Sequence, residues 1–181
     1  MRTRHLLWIC LIPGLVACQP ATAPEAVVAP AADLLAKGEY LVKVGGCNDC
    51  HTNDYGPSGG KVPKEQWLTG SHQGFMGPWG TTYPSNLRLN LSKMSEAQWL
   101  AYSSAFHTRP PMPDFTVRDL SEEDRRALYR FIVSLGAAGQ PAPAYLPPGQ
   151  QPQPPYFQLV LPAPAEGAKP DGQAAKLPSA S

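Results

Sequence analysis

Cys47-Asn48-Asp49-Cys50-His51 is the most informative run of residues in this chain. Two thiols three positions apart lie on one side of a helical turn, and a histidine follows at once. This is the C-x-x-C-H pattern of c-type haem attachment, in which each thiol adds to a haem vinyl group and the imidazole is placed to ligate iron. A thioredoxin-like dithiol, half of a zinc site and a plain disulfide compete for the same residues. Zinc would need two further ligands, and the sequence holds neither a second C-x-x-C nor an H-x3-5-H pair. No strand pattern leads into the motif, as the dithiol reading requires. A disulfide would leave His51 without a purpose. One covalent haem c is therefore expected at Cys47 and Cys50, with His51 as an axial iron ligand.

Upstream of the motif, Asp33 is placed to cap a helix carrying Leu34, Leu35, Tyr40, Leu41 and Val44, which runs into Gly45-Gly46. Downstream, Ser95 with Gln98 reads as a capping box opening a helix to Phe106, with Trp99, Tyr102 and Phe106 on one side. Ser121 ahead of Glu122, Glu123 and Asp124 starts a third helix, along which Leu128, Phe131, Ile132 and Leu135 recur at helical spacing before Gly136 closes it. Gly- and Pro-rich loops fill the intervals, including the loop that holds Met76. These signals predict an all-α domain of three main helices and long loops around one covalent haem, whose porphyrin supplies the apolar centre that so short a chain lacks.

The ends are of different composition. A basic start (Arg2, Arg4), an apolar run from Leu6 to Ala17 and the sequence Leu15-Val16-Ala17-Cys18 resemble a bacterial lipoprotein leader, so residues 1–17 are expected to be removed and Cys18 to be acylated. Twelve apolar residues are too few to span a bilayer as a helix. Residues 18–32 read as a Pro/Ala tether reaching about 40 Å if extended, residues 33–137 as the folded domain, 138–162 as a Pro-rich segment wrapping it, and 163–181 as a tail without fixed structure. Of the 22 prolines, 11 lie at or after Pro141. Without Arg2 and Arg4 the charge balance is 13 basic against 14 acidic residues, which gives a nucleic-acid partner no electrostatic support.

The second axial ligand is sought among Met76, Met94, Met112, His72 and His107. Met112 is preferred, because Pro111 and Pro113 hold its loop stiff and extended, and thioether sulfur suits low-spin iron. Trp79, Tyr83 and Trp99 are candidates to line the haem pocket, and Tyr83, Asn86 or Arg88 to hydrogen-bond a propionate. A P-loop, a G-x-S-x-G elbow and a second haem motif are all missing from the sequence.

Several stretches together resemble the monohaem class I cytochromes c, in the sub-group that accompanies membrane-bound periplasmic dehydrogenases. They are Gly38-Glu39-Tyr40-Leu41, the haem motif, Gly80-Thr81-Thr82-Tyr83 with Ser85-Asn86, Pro111-Met112-Pro113-Asp114-Phe115, and the exit around Pro147, Pro148, Pro155 and Tyr156. The likeness covers roughly residues 33–160 and departs from the family at Leu87-Arg88-Leu89. It implies the small cytochrome c fold, and Met112 matches the position of the family's ligand methionine. With both axial positions filled, the expected function is single-electron transfer, not catalysis. The protein would act as a carrier or as the electron-accepting subunit of a dehydrogenase or respiratory complex, lipid-anchored on the periplasmic side of a bacterial membrane, with redox proteins (dehydrogenase, oxidase or another cytochrome) as partners and no zinc. The alternative is a haem sensor or gas-binding module with an open or displaceable sixth position. A third reading is a lipoprotein interaction domain with a Cys47–Cys50 disulfide.

Overall fold

A computed structural model describes residues 31–162. The leader, Cys18, nearly all of the tether and the tail from 163 onward lie outside the described residues. Helix α1 (Ala31–Val44) buries Leu34, Gly38 and Val42, and Asp33 sits within its first turn, not ahead of it. At Gly46 the backbone turns left-handed (φ 66°), a conformation that glycine adopts without steric cost, and the chain enters α2 (Cys47–His51) directly. Two more five-residue helices follow, α3 (Leu87–Leu91) and α5 (Asp114–Arg118).

The other two long helices start where their caps predict. In α4 (Glu96–Ser103) the Ser95 amide donates to Gln98 Oε1 at 2.8 Å and the Gln98 amide to Ser95 Oγ at 3.2 Å, the reciprocal pair that satisfies two otherwise orphaned N–H groups. Regular helix ends at Ser103, three residues short of Phe106, whose amide still reaches the Tyr102 carbonyl at 2.9 Å. In α6 (Glu122–Ser134) the Asp124 amide donates to Ser121 Oγ at 3.1 Å, and Ala127, Leu128, Phe131 and Ile132 form the buried stripe.

Helices α1 and α6 pack closely against each other. The approach is so tight at Gly38 that a Cβ there would lie 2.1 Å from the Ala127 carbonyl oxygen and 2.5 Å from Phe131 Cβ. Lys37 ties the same crossing at its edge, 2.8 Å from both Glu123 and Asp124. Val42, Leu128, Phe131 and Ile132 then meet Trp67, Leu68, Leu91 and Trp99 in one apolar cluster. Burying these side chains at about 25 cal/mol per Å² of apolar surface is the main force holding the helices together.

The all-α expectation is corrected by a three-stranded mixed sheet, order β2-β1-β3. Strand β1 (Gly74–Gly77) forms a hairpin with β2 (Gly80–Thr82), and β3 (Tyr156–Gln158) joins it in parallel, with Phe75 opposite both Thr82 and Phe157. The sequence concealed the sheet because strands of three or four residues are too short to show alternation. The strand that completes it also comes from the distant C-terminal segment, which is anchored further by mutual hydrogen bonds of Thr81 and Leu146 at 2.8 and 3.0 Å. Met76, expected in a loop, lies in β1 and pairs with Thr81 and Gln158. No described helix is long and apolar enough to cross a membrane.

Candidate functional site

The α2 turn places Cys47, Cys50 and His51 in sequence positions i, i+3 and i+4, hence along one helical face. Both cysteines are free and half-buried. Burial, aided by the charges of Asp49 and Cys50, pushes the Cys47 thiol up to about 11, and burial with Asp49 raises Cys50 as well. Both are thus protonated thiols near neutral pH, unlike the low-pKa thiolate that a thioredoxin-type dithiol uses.

His51 is buried, and its Nδ1 lies 2.7 Å from the carbonyl oxygen of Ser85. A carbonyl can only accept, so Nδ1 carries the proton and donates. Burial lowers the pKa of the imidazole, with the Ser85 bond opposing, so the ring is neutral and its lone pair sits on Nε2. A carbonyl on Nδ1 fixing the tautomer and orientation of the ring is how proteins prepare a ligating histidine. The main chain at the motif is pinned too. The Gly70 amide donates to the His51 carbonyl at 2.8 Å, and Thr52 forms a parallel bridge with Gly70. Gly70 (φ 86°) is pressed against the segment bearing Ser85, where a Cβ would stand 2.9 Å from the Asn86 amide and 3.1 Å from the Pro84 carbonyl.

Met112 is half-buried in the segment before α5, and both flanks of that segment are clamped. On one side Thr82 Oγ1 donates to the Pro110 carbonyl at 2.7 Å, tying it to β2. On the other, Asp114 accepts from the Thr108 amide at 2.8 Å and pairs with Arg118 at 2.8 Å, while Arg118 also donates to the Phe106 carbonyl at 2.9 Å. The rival ligands have other surroundings. His107 is largely exposed beside Asp114 and Arg118, His72 is exposed, Met76 is in β1, and the Met94 carbonyl accepts from Tyr129 Oη at 2.7 Å.

The residues proposed for the cofactor pocket divide. The three guanidinium nitrogens of buried Arg88 donate to the carbonyls of Gly136, Glu65 and Leu135, so this side chain closes the C-terminus of α6. Asn86 caps α3 by accepting from the Leu89 amide at 3.0 Å, and its Nδ2 donates to Ala138 at 2.8 Å and Gln140 at 3.2 Å. Both are engaged in building the fold. Trp79, together with Phe75, Met76, Pro111, Phe157 and Leu159, lines a cavity of about 250 Å³ next to the Met112 segment, and Tyr145 Oη donates to the Trp79 carbonyl at 2.7 Å. Tyr83 is half-buried, its ring packed near Gly74, and Trp99 lies in the core with its indole N–H on the Arg125 carbonyl at 2.8 Å.

The sequence reading missed Ser85 as the acceptor for His51, Gly70 as the residue pinning the motif, and Thr82 and Asp114 as clamps of the Met112 segment. Their contributions run through backbone atoms or short polar side chains, which leave no pattern of spacing. Two half-buried thiols and a neutral imidazole with Nε2 free on one helical turn, and a half-buried methionine on a separately clamped loop, are residue types that fit a c-type haem. Comparison of the chain with protein-family models, curated proteins and solved structures finds no match.

Proposed function

We propose that this protein is a monohaem c-type cytochrome that transfers single electrons, with haem bound through thioethers at Cys47 and Cys50 and iron ligated by His51 and Met112. The observation that carries the reading is the 2.7 Å bond from His51 Nδ1 to the Ser85 carbonyl within a Cys-x-x-Cys-His turn, which leaves Nε2 as a pre-aimed ligand. A haem iron with both axial positions taken supplies a one-electron couple without an open coordination site. The chain does the rest. Ser85 orients the imidazole and raises its basicity, the Gly46 junction presents both thiols on one face, and the Thr82 and Asp114 clamps hold a weak thioether ligand in place. Together with the leader-like start and Cys18, this favours a lipid-anchored carrier, or the electron-accepting subunit of a dehydrogenase or respiratory complex, on the periplasmic side of a bacterial membrane.

The test is an optical redox titration of the mature chain, produced with a haem-maturation system, beside Met112→Ala. Covalent haem, a clearly positive potential, and a sharp fall of that potential in the variant are expected. A variant that titrates like the parent would remove Met112 as the ligand. Carbon monoxide binding to the ferrous parent at neutral pH would favour a sensor, and a chain without covalent haem would end the cytochrome reading.

A further inference from the structure

The hydroxyl of Thr52, the residue directly after the haem motif, is buried and uses both its proton and a lone pair. It donates to Asn48 Oδ1 at 2.8 Å and accepts from the Leu68 amide at 2.8 Å. Leu68 is a fully buried, non-glycine residue with φ of 60°, a conformation that costs on the order of 1 kcal/mol or more and persists only where neighbours over-determine it. Its amide is held by Thr52, and its carbonyl accepts from the amides of Leu87 at 3.0 Å and Arg88 at 3.4 Å. From this turn the chain runs to Gly70 and Ser71, whose amides bond His51 and Pro84 at 2.8 and 3.0 Å. Pro84 precedes Ser85, the acceptor of His51 Nδ1. A closed circuit of hydrogen bonds and intervening main chain therefore leaves the end of α2 through the Thr52 hydroxyl and returns to it at the imidazole.

We propose that Thr52 is a positioning residue for His51, setting the His51–Ser85 bond through the strained turn at Leu68 without touching the imidazole. The proposal deepens the electron-transfer reading and, in its redox consequence, rests on it. Removing the hydroxyl strands the buried Leu68 amide without an acceptor. The turn then relaxes towards ordinary backbone angles, and the 68–71 segment no longer fixes Pro84 and Ser85. A weaker bond at Nδ1 makes Nε2 a poorer donor to iron, which disfavours the oxidised state and moves the potential upward.

The experiment compares Thr52→Val, which keeps shape and loses the hydroxyl, with Thr52→Ser, which keeps the hydroxyl. The readouts are the midpoint potential and the solvent-exchange rate of the His51 Nδ1 proton, followed by NMR. Thr52→Val is expected to retain covalent haem, titrate at a higher potential and exchange this proton faster, whereas Thr52→Ser behaves as the parent. A Thr52→Val protein that melts earlier with parental potential and exchange would reduce Thr52 to a structural role and overturn the proposal. If Thr52→Val does not fold, Thr52→Ala, which sets no methyl group against the Leu68 amide, carries the same expectation. A parent lacking covalent haem would instead sink the electron-transfer reading, and the proton-exchange comparison would still decide the role of Thr52.

Discussion

Replacing Gly38 by alanine should destabilise the domain by about 3 kcal/mol, although in an unobstructed helix the same change would stabilise by about 0.5–1 kcal/mol. The added Cβ would stand 2.1 Å from the Ala127 carbonyl oxygen, 2.8 Å from its carbon and 2.5 Å from Phe131 Cβ. An ordinary C···O contact is about 3.3 Å or longer, so α1 and α6 must part by roughly 1 Å. The obstacle is backbone, which cannot rotate away. Parting the helices loosens Val42 and Phe131, which belong to one apolar cluster. Overpacking of this kind costs about 1–3 kcal/mol and occasionally more, and the lost contacts place Gly38 at the upper end even after the propensity gain is subtracted. Urea unfolding followed by tryptophan fluorescence measures it. With a slope of about 1.5 kcal/mol per M, the midpoint should fall by roughly 2 M. A midpoint unchanged or raised would mean that α1 and α6 leave room for a methyl group at Gly38, and the steric account would fail.

Arg88→Met should cost about 2–4 kcal/mol, since it removes the donors to two backbone carbonyls at the end of α6 and to that of Glu65, yet, on the electron-transfer reading, leave the reduction potential nearly as it was. Parental stability with a large potential shift would instead mark Arg88 as a cofactor contact. The Lys37–Asp124 pair gives a pH dependence. The hydrogen bond from Lys37 holds the Asp124 carboxyl below its usual range, against the opposing effect of burial and with help from Ser121. The pair's contribution is therefore complete above the unfolded value of about 3.9 and is lost as pH falls through the lower folded value. Lys37 is shifted upward, first by its bond to Asp124 and then by Glu123, so the same contribution is lost again only when pH rises through its elevated folded value. The pair is partly exposed, so the difference in unfolding free energy between the parent and Lys37→Met should stay under about 1 kcal/mol at neutral pH and vanish in strong acid. A difference that persists unchanged at pH 2 would contradict the assignment.

Much of what depends on neighbours three or four residues apart was legible in the sequence, although the Asn86–Leu89 cap and the Asp114–Arg118 pair were not. The Cys47–His51 turn, the Ser95–Gln98 box, the Ser121 cap and the stripe of α6 are of this legible kind, because helical geometry brings such residues together whatever the rest of the chain does. The sheet was not legible, because its strands are too short to carry a period and β3, at Tyr156–Gln158, pairs with β1, at Gly74–Gly77, from far along the chain. Nor were the tasks of Arg88 and Asn86. They looked like free polar donors until the end of α6 and the following turn, some 50 residues later in the chain, came to lie against them. Gly38 read as a family-like residue, and only the crossing of α1 and α6 shows the space it must leave empty. Residue spacing alone sets Cys47, Cys50 and His51 on one helical turn. How that turn is held follows only from the folded chain, because the bonds of Ser85 and Gly70 to His51 and of Leu68 to Thr52 join residues distant along the sequence.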